Sequence, residues 1–511
     1  MQEKKGQRTV QDIRELYEQI KRGEDVRAGL IALKAALKDK DEKEEALRQI
    51  RGIFQEDPET LLKMVQDSDA KVRKNAALIL GTIGTKECRD ALLGAYEKEE
   101  QRFVKSAYLT GLLGCDCTDC LPMLKKKREE LLRAGTTAET EKHSREELEA
   151  LNALLSACEP AKKRRFQGED FPADVILTTW KEYRETAARQ ITEGEVSLLG
   201  SGIRIRGGSL KEILKVRTYR ELLFCLDRDH LDASQAAEEL ASSNLLELLE
   251  RYYQGGAPWR FRIELRSRMT AQEKAVYTKK LADALMRRTG GRLINDVSDY
   301  EAEIRLVEKK SGGYLPLLKL SALPDHRFAY RKNSVATSMQ PSLAALLAEL
   351  ASPYMKEGAR VLDPFCGVGT LLLERTYRVH ADTLYGVDRY GSAIEGAREN
   401  AGIAGIPAHF INKEIQSFSH EHLFDEIFTD MPSQGGKRTA HETEYLYRVL
   451  FEQGQRLLRP GSMIFLYSHD RGFALKWLRQ TAGMKLVREW RISEKEDTWF
   501  LAVRYEGEKN A

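Results

Sequence analysis

Two stretches of this 511-residue chain combine residue types at spacings that could do chemistry. The first, DEIFTDMPSQGGKRT, runs from Asp425 to Thr439. Ile427 and Phe428 have the character of a buried strand, and Thr429, Asp430, Met431 and Pro432 then make a turn. An acid-x-Pro turn at the carboxyl end of a strand is a position where α/β enzymes place reactive groups. The second, RVLDPFCGVGTLLLE, covers residues 360–374. Its strand ends at Asp363, a turn follows through Gly367 and Gly369, and a helix opens near Thr370. Glycines there let the backbone approach a ligand and aim a helix N-terminus at it. Just downstream, YGVDRYGSAIEGARENAG puts Asp388 at the end of the next strand, where an acid can accept hydrogen bonds from a ribose diol.

A dinucleotide or S-adenosylmethionine would suit such a unit. The dinucleotide fingerprint requires Gly or Ala three residues after its second glycine, and this chain has Leu372 there. DPFCGVGT instead resembles the first motif of class I methyltransferases that act on nucleic-acid bases. Residues 173–511 resemble the THUMP-domain RNA methyltransferases. The pieces follow in that family's order: DYEAEIRLVEK, RFAYRKNSVATSMQPSLAALL, VLDPFCGVGTLLLE, GVDRYGSAIEGARENA and TDMP.

The resemblance implies a S-adenosylmethionine-dependent enzyme that methylates RNA, tRNA or rRNA, at the N2 amino group of a guanosine. It implies that Asp363, Gly367 and Gly369 hold the cofactor's methionine end with Phe365 packed beside it, that Thr370 also meets the cofactor, and that Asp388 binds its ribose and Glu414 its adenine, with Ser338 to Pro341 closing over it. Asp430, Met431 and Pro432 would form the catalytic turn. An acid and a backbone carbonyl that accept the base's N–H bonds localise its nitrogen lone pair and offset the developing positive charge. Ser433, Lys437 and Arg438 would meet the substrate, and Arg204, Arg206, Arg262 and Arg266 would grip RNA by shape and phosphate. The family has an aromatic after the proline, which stacks the flipped base. Here Ser433 stands in that place, followed by Gln434 and two glycines. The loop is lengthened, with a stacking partner from elsewhere (Phe328, Tyr330 or Tyr445), or catalysis is lost and RNA binding kept.

The elements that must position these residues follow from periodicity. From about 335, strands alternate with helices, at Arg360–Asp363, Leu384–Asp388, His409–Asn412, Glu426–Asp430, Met463–Tyr467, Leu486–Trp490 and Trp499–Arg504, which predicts a doubly wound sheet. His469 and Asp470 follow one of these strands at the same edge, where they touch substrate or cap the loop. Residues 173–333 form an α+β section, including a half-buried strand in FRIELRSR and a helix capped by Thr270 and stopped by Gly290. Residues 1–158 are all helix, and NAALILGTIG (75–84) superposes on KSAYLTGLLG (105–114). This repeat resembles HEAT-like hairpins, with an irregular bundle as the alternative. Residues 159–172 are a linker with a basic run, Lys162 to Arg165, which is a solvated link or a phosphate-binding arm. The expected fold class is therefore a helical repeat region, a THUMP-like domain and a Rossmann-like class I methyltransferase domain from 334 to 511.

A net charge of +3 confines any nucleic-acid surface to local patches. The N-terminus lacks a signal-peptide core and no window is long and apolar enough for a membrane span. Seven cysteines suggest free thiols in a reducing cytoplasm. CDCTDC (115–120) does not match zinc spacings, so no metal is expected, and Cys366 is a small residue packed under the cofactor turn. Three rival functions stand beside the enzyme: a DNA amino-methyltransferase, a non-catalytic RNA-binding adaptor, and a scaffold whose repeats bind a protein.

Overall fold

The structure is a computed structural model that describes residues 13–37, 43–133, 141–158, 164–434 and 438–507. By contact it divides into two units, 1–167 with 226–322, and 168–225 with 323–511. The section 173–333 therefore contributes to both.

The first unit begins with packed helices around one apolar core. The glycines of the sequence repeat explain themselves here. Helices Ala70–Ile83 and Arg102–Leu112 cross so closely that a Cβ on Gly81 would lie 2.2 Å from the Gly111 carbonyl oxygen, and one on Gly111 2.4 Å from that of Ala77. The repeat conserves backbone contact, as stacked hairpins require.

The strands, in chain order, are β1 (Pro172–Thr178), β2 (Glu195–Leu199), β3 (Gly202–Ser209), β4 (Glu221–Cys225), β5 (Trp259–Arg266), β6 (Leu293–Asn295), β7 (Ala302–Glu308), β8 (Tyr314–Leu320), β9 (Ala359–Asp363), β10 (Ala381–Asp388), β11 (His409–Asn412), β12 (Phe424–Asp430), β13 (Leu458–Ser468), β14 (Met484–Ser493) and β15 (Thr498–Tyr505). In the first unit β8, β7, β5 and β6 are neighbours in that order, with helix Ala271–Arg288 packed on β5 and β6. Thr270 and Glu273 close a capping box at its start.

The second unit holds the antiparallel order β2-β3-β1-β4 and a seven-stranded sheet, β11-β10-β9-β12-β13-β15-β14, in which β15 alone runs opposite to the other six strands. This is the expected Rossmann-like class I arrangement. The chain order reverses between β9 and β12, so their carboxyl ends flank the switch point where such sheets bind ligands. One face is covered by helices Pro341–Ala351, Thr370–Arg378 and Gly391–Ala404, and the other by Ala440–Leu457 and Arg471–Gln480. Inside this unit, Arg217 grips the buried Glu374 with two bonds of 2.7 and 2.8 Å, and the Tyr183 hydroxyl donates to the Arg491 carbonyl at 2.9 Å. Such contacts bind the β1–β4 segment to the larger sheet.

Among the described residues no helix is long and apolar enough to cross a membrane, and no group of three His, Cys, Asp or Glu side chains is placed to hold a metal ion.

Candidate functional site

The site is built on strand ends. Side chains alternate across a strand, and paired residues of parallel neighbours share a face. Val361 and Asp363, Gly386 and Asp388, Phe428 and Asp430, and Phe465 and Tyr467 therefore line one face. Three acids of that face, Asp363, Asp388 and Asp430, reach the carboxyl edge on adjacent strands.

Each acid has distinct surroundings. Asp363 is buried, and its Oδ1 accepts from the Thr429 hydroxyl at 2.6 Å and the Phe365 N–H at 3.1 Å. Burial pushes its pKa up to about 7, with Asp388 adding to the rise and those two donors opposing it. Asp388 accepts from the Gly367 N–H and the Tyr390 N–H, both at 2.9 Å, so its carboxylate holds the glycine loop in place. Its other lone pairs can still meet a diol. Asp430 is pushed up to about 8 by burial, then by the charge of Asp363. Two carboxylates that share an edge cannot both ionise cheaply, which is a frequent mark of a functional site.

Gly367 and Gly369 both take the left-handed conformation, with φ of 52° and 80°. A Cβ on Gly369 would press the Phe410 ring at 3.1 Å, whereas one on Gly367 would meet nothing within 4 Å. The first glycine thus faces open space, and the second packs under the loop. Helix Thr370–Arg378 starts there, and the Thr370 hydroxyl is buried with no protein partner among the described residues. Phe365 is half-buried against the core, and Cys366 is buried under the turn, its thiol pushed well up by burial.

Around the acid-x-Pro turn, the Met431 N–H donates to the Tyr467 carbonyl at 2.9 Å. Pro432 and Ser433 are half-buried, and the Ser433 carbonyl accepts from Arg438 at 3.2 Å. Gln434 donates to Asp470 at 2.8 Å. Asp470 precedes helix Arg471–Gln480 but makes no side-chain cap bond to it. Lys437 lies outside the described residues.

Other expected residues stand apart or are already engaged. Glu414 is exposed just after β11 and accepts from the Gln416 side chain. Arg262 is committed to Glu303 at 2.5 Å and lies over the Tyr300 ring, while Arg266 is exposed and pairs with Glu264 at 3.1 Å. Arg206 pairs with Glu195 at 3.9 Å. Of the basic run, Arg164 is held by Glu301 at 3.1 Å and by the Pro258 carbonyl at 2.8 Å.

Sequence reasoning missed two supports of the site. Asn400, fully buried on helix Gly391–Ala404, accepts from the Lys332 and Asn333 N–H groups and donates to the Asn333 and Val368 carbonyls. It ties the connector to the glycine loop. Arg375, also fully buried, grips Glu426 at 2.7 Å and so fixes helix Thr370–Arg378 to β12. Nothing in RENAG signalled it, since Arg398 and Glu399 directly precede Asn400 as on an ordinary polar helix face.

The fold and the edge of acids define a class I methyltransferase domain. Residues 329–493 match the family model described as RMKL-like, methyltransferase domain, and residues 28–112 match HEAT repeats. The chain carries both, and the repeats settle the helical region as HEAT-like. It is similar to the tRNA (guanine(10)-N2)-dimethyltransferase of Methanothermobacter thermautotrophicus, with 34% identity over 129 residues, 25% of this chain and 37% of the relative. It is also similar to the U6 snRNA (guanine-N(2))-methyltransferase THUMPD2 of Bos taurus, with 27% identity over 218 residues, 42% of this chain and 41% of the relative. The matches thus span about two fifths of those curated relatives. The crystal structure of TrmN from Thermus thermophilus superposes with a TM-score of 0.50 at 21% identity, covering 65% of this chain and 99% of that one, a likeness of fold.

Proposed function

We propose that this protein is a S-adenosylmethionine-dependent RNA methyltransferase that modifies the exocyclic N2 amino group of a guanosine, in tRNA or rRNA. The observation that carries the reading is the row Asp388, Asp363 and Asp430 on one face of one carboxyl edge, beside an open glycine loop. The relatives named for guanine-N2 methylation support the choice of atom.

The cofactor fits the residues present. Gly367 leaves backbone open to it, the helix N-terminus and the partnerless Thr370 hydroxyl face the same loop, Asp388 suits a ribose diol, and Glu414 suits the adenine. When bound, S-adenosylmethionine supplies an electrophilic methyl group. The protein's part is to position the base. Asp430 accepts an N–H of the amino group, the carbonyl of the Asp430-Met431-Pro432 turn accepts the other, and both localise the nitrogen lone pair. Pro432 stiffens the turn by fixing φ, and its bond from Met431 to Tyr467 holds it to β13. We place Ser433, Lys437 and Arg438 at the base, the exposed Arg266 beside RNA phosphates, and residues 173–333 as a THUMP-like RNA grip. We propose a protein partner for the repeats. The cysteines are free in the described fold, and we place the protein in the cytoplasm.

The test is methyl transfer from labelled S-adenosylmethionine to total RNA, followed by nucleoside analysis. Label in N2-methylguanosine supports the reading. Cofactor binding with no label in any RNA sinks it in favour of an RNA-binding adaptor.

A further inference from the structure

Ser433 leaves the target base without a stacking face, and the three aromatics considered from sequence do not supply one. Tyr330 is buried, and its hydroxyl donates to Glu374 at 2.7 Å. Phe328 lies beneath the Arg217 and Arg327 guanidinium groups, both 4.9 Å from its ring. Tyr445 sits on helix Ala440–Leu457, which covers the opposite face of the sheet, with Arg448 over its ring at 5.0 Å.

One exposed ring does stand at the right place. β12 and β13 pair Asp430 with Tyr467, and the Met431 N–H donates to the Tyr467 carbonyl. Two residues on, just past the end of β13, is His469. Its ring meets the Tyr467 ring at 5.4 Å and 79°, so it continues the face that carries Asp430, one step beyond the edge. It is exposed. The neighbouring Asp470 is anchored by its N–H to Ser468 at 2.9 Å and by its carboxylate to Gln434, which fixes the backbone on the far side of His469.

We infer that His469 is the base-stacking residue of this site, taking the place of the aromatic that the acid-x-Pro turn lacks. The inference rests on the proposed function. An imidazole offers a π-face to a splayed base, as His does in single-stranded RNA recognition. Coming from the adjacent strand, it approaches a base held at Asp430 without needing a ring on residue 433, so the turn is free to carry Ser433 and the longer loop.

The test compares full-length wild type, His469→Ala and His469→Phe on hypomethylated total tRNA, reading N2-methylguanosine formed under single turnover and S-adenosylmethionine affinity by calorimetry. The expected result is a loss of roughly 10- to 100-fold for His469→Ala, the size of one lost base stack. Cofactor affinity stays unchanged, and His469→Phe restores the rate. His469→Ala at the wild-type rate overturns the inference alone, as does a Phe variant that stays as slow as Ala, because that would make the imidazole nitrogen rather than the ring face the useful part. Wild type that forms no N2-methylguanosine overturns the proposed function and the stacking role with it.

Discussion

At the residue scale the site turns on Asp430. Its carboxyl is pushed up to about 8, first by burial and then by Asp363. A group that must accept an N–H from the base has to be ionised, and kcat/KM reports the free enzyme. Methyl transfer should therefore rise with pH until about 8 and then level off. Asp430→Asn should abolish it at every pH, since an amide keeps the shape without the charge. The stability consequence has the opposite sign. An acid whose folded pKa is raised binds its proton more tightly when folded, so stability is lost as pH climbs from the ordinary carboxylate range, about 4, toward the folded value. A thermal melt series should show Tm of the wild type falling over that window, and Asp430→Asn falling less. Equal slopes would mean that Asp430 titrates normally. The position of each acid at a strand end was legible from sequence, because a strand's last residue before a glycine or proline turn is a local feature. The upward shifts were not, since they come first from burial in the folded protein and then from acids on neighbouring strands.

At the scale of elements, the glycine contacts and the Asn400 clamp do the positioning. Gly81→Ala would drive a methyl group into the Gly111 backbone, and helices that close cannot part without losing their core. A cost of about 1–3 kcal/mol is expected in chemical denaturation. Gly94→Ala, in the middle of helix Lys86–Lys98 with nothing within 4 Å, should instead stabilise by about 0.5–1 kcal/mol. Asn400→Ala would strand two N–H groups and two carbonyls inside the protein, at a cost of about 2–4 kcal/mol. It should also weaken cofactor binding, because the Val368 carbonyl it holds belongs to the glycine loop. Calorimetry with S-adenosylmethionine checks this. Unchanged affinity in a folded variant would assign Asn400 to the connector alone. The helices and strands that carry these groups matched their sequence periodicity closely, as with His409–Asn412 and the capping box at Thr270. Asn400's role was hidden because its partners lie up to 68 residues away.

At the scale of the whole molecule, a net charge of +3 gives little long-range attraction for RNA. The proposed RNA binding would therefore rest on a few local cations. Each phosphate contact releases counterions, so the KM for RNA should rise steeply between roughly 50 and 200 mM salt while cofactor affinity changes little. A flat salt response would argue against a phosphate grip. Several arginines expected on an open surface are tied down internally, as Arg262 is by Glu303 and Arg164 by Glu301. This narrows the candidates to cations such as Arg266, and Arg266→Glu should raise the KM without touching S-adenosylmethionine binding.

The sequence by itself determined the parts list: an alternating strand–helix run, a glycine loop between an acid and a helix, an acid-x-Pro turn, and a helical repeat with matched glycines. These are written in residues close together in the chain, through periodicity and turn chemistry. The order β11-β10-β9-β12-β13-β15-β14 was decided by tertiary packing, and that order alone sets Asp430 beside Asp363 and brings His469 past the same edge. Which arginines are spent on internal acids, and which aromatic is free to face a base, also depend on contacts between distant segments. No local pattern encodes those contacts, because they form only when the faces of separate elements are buried together.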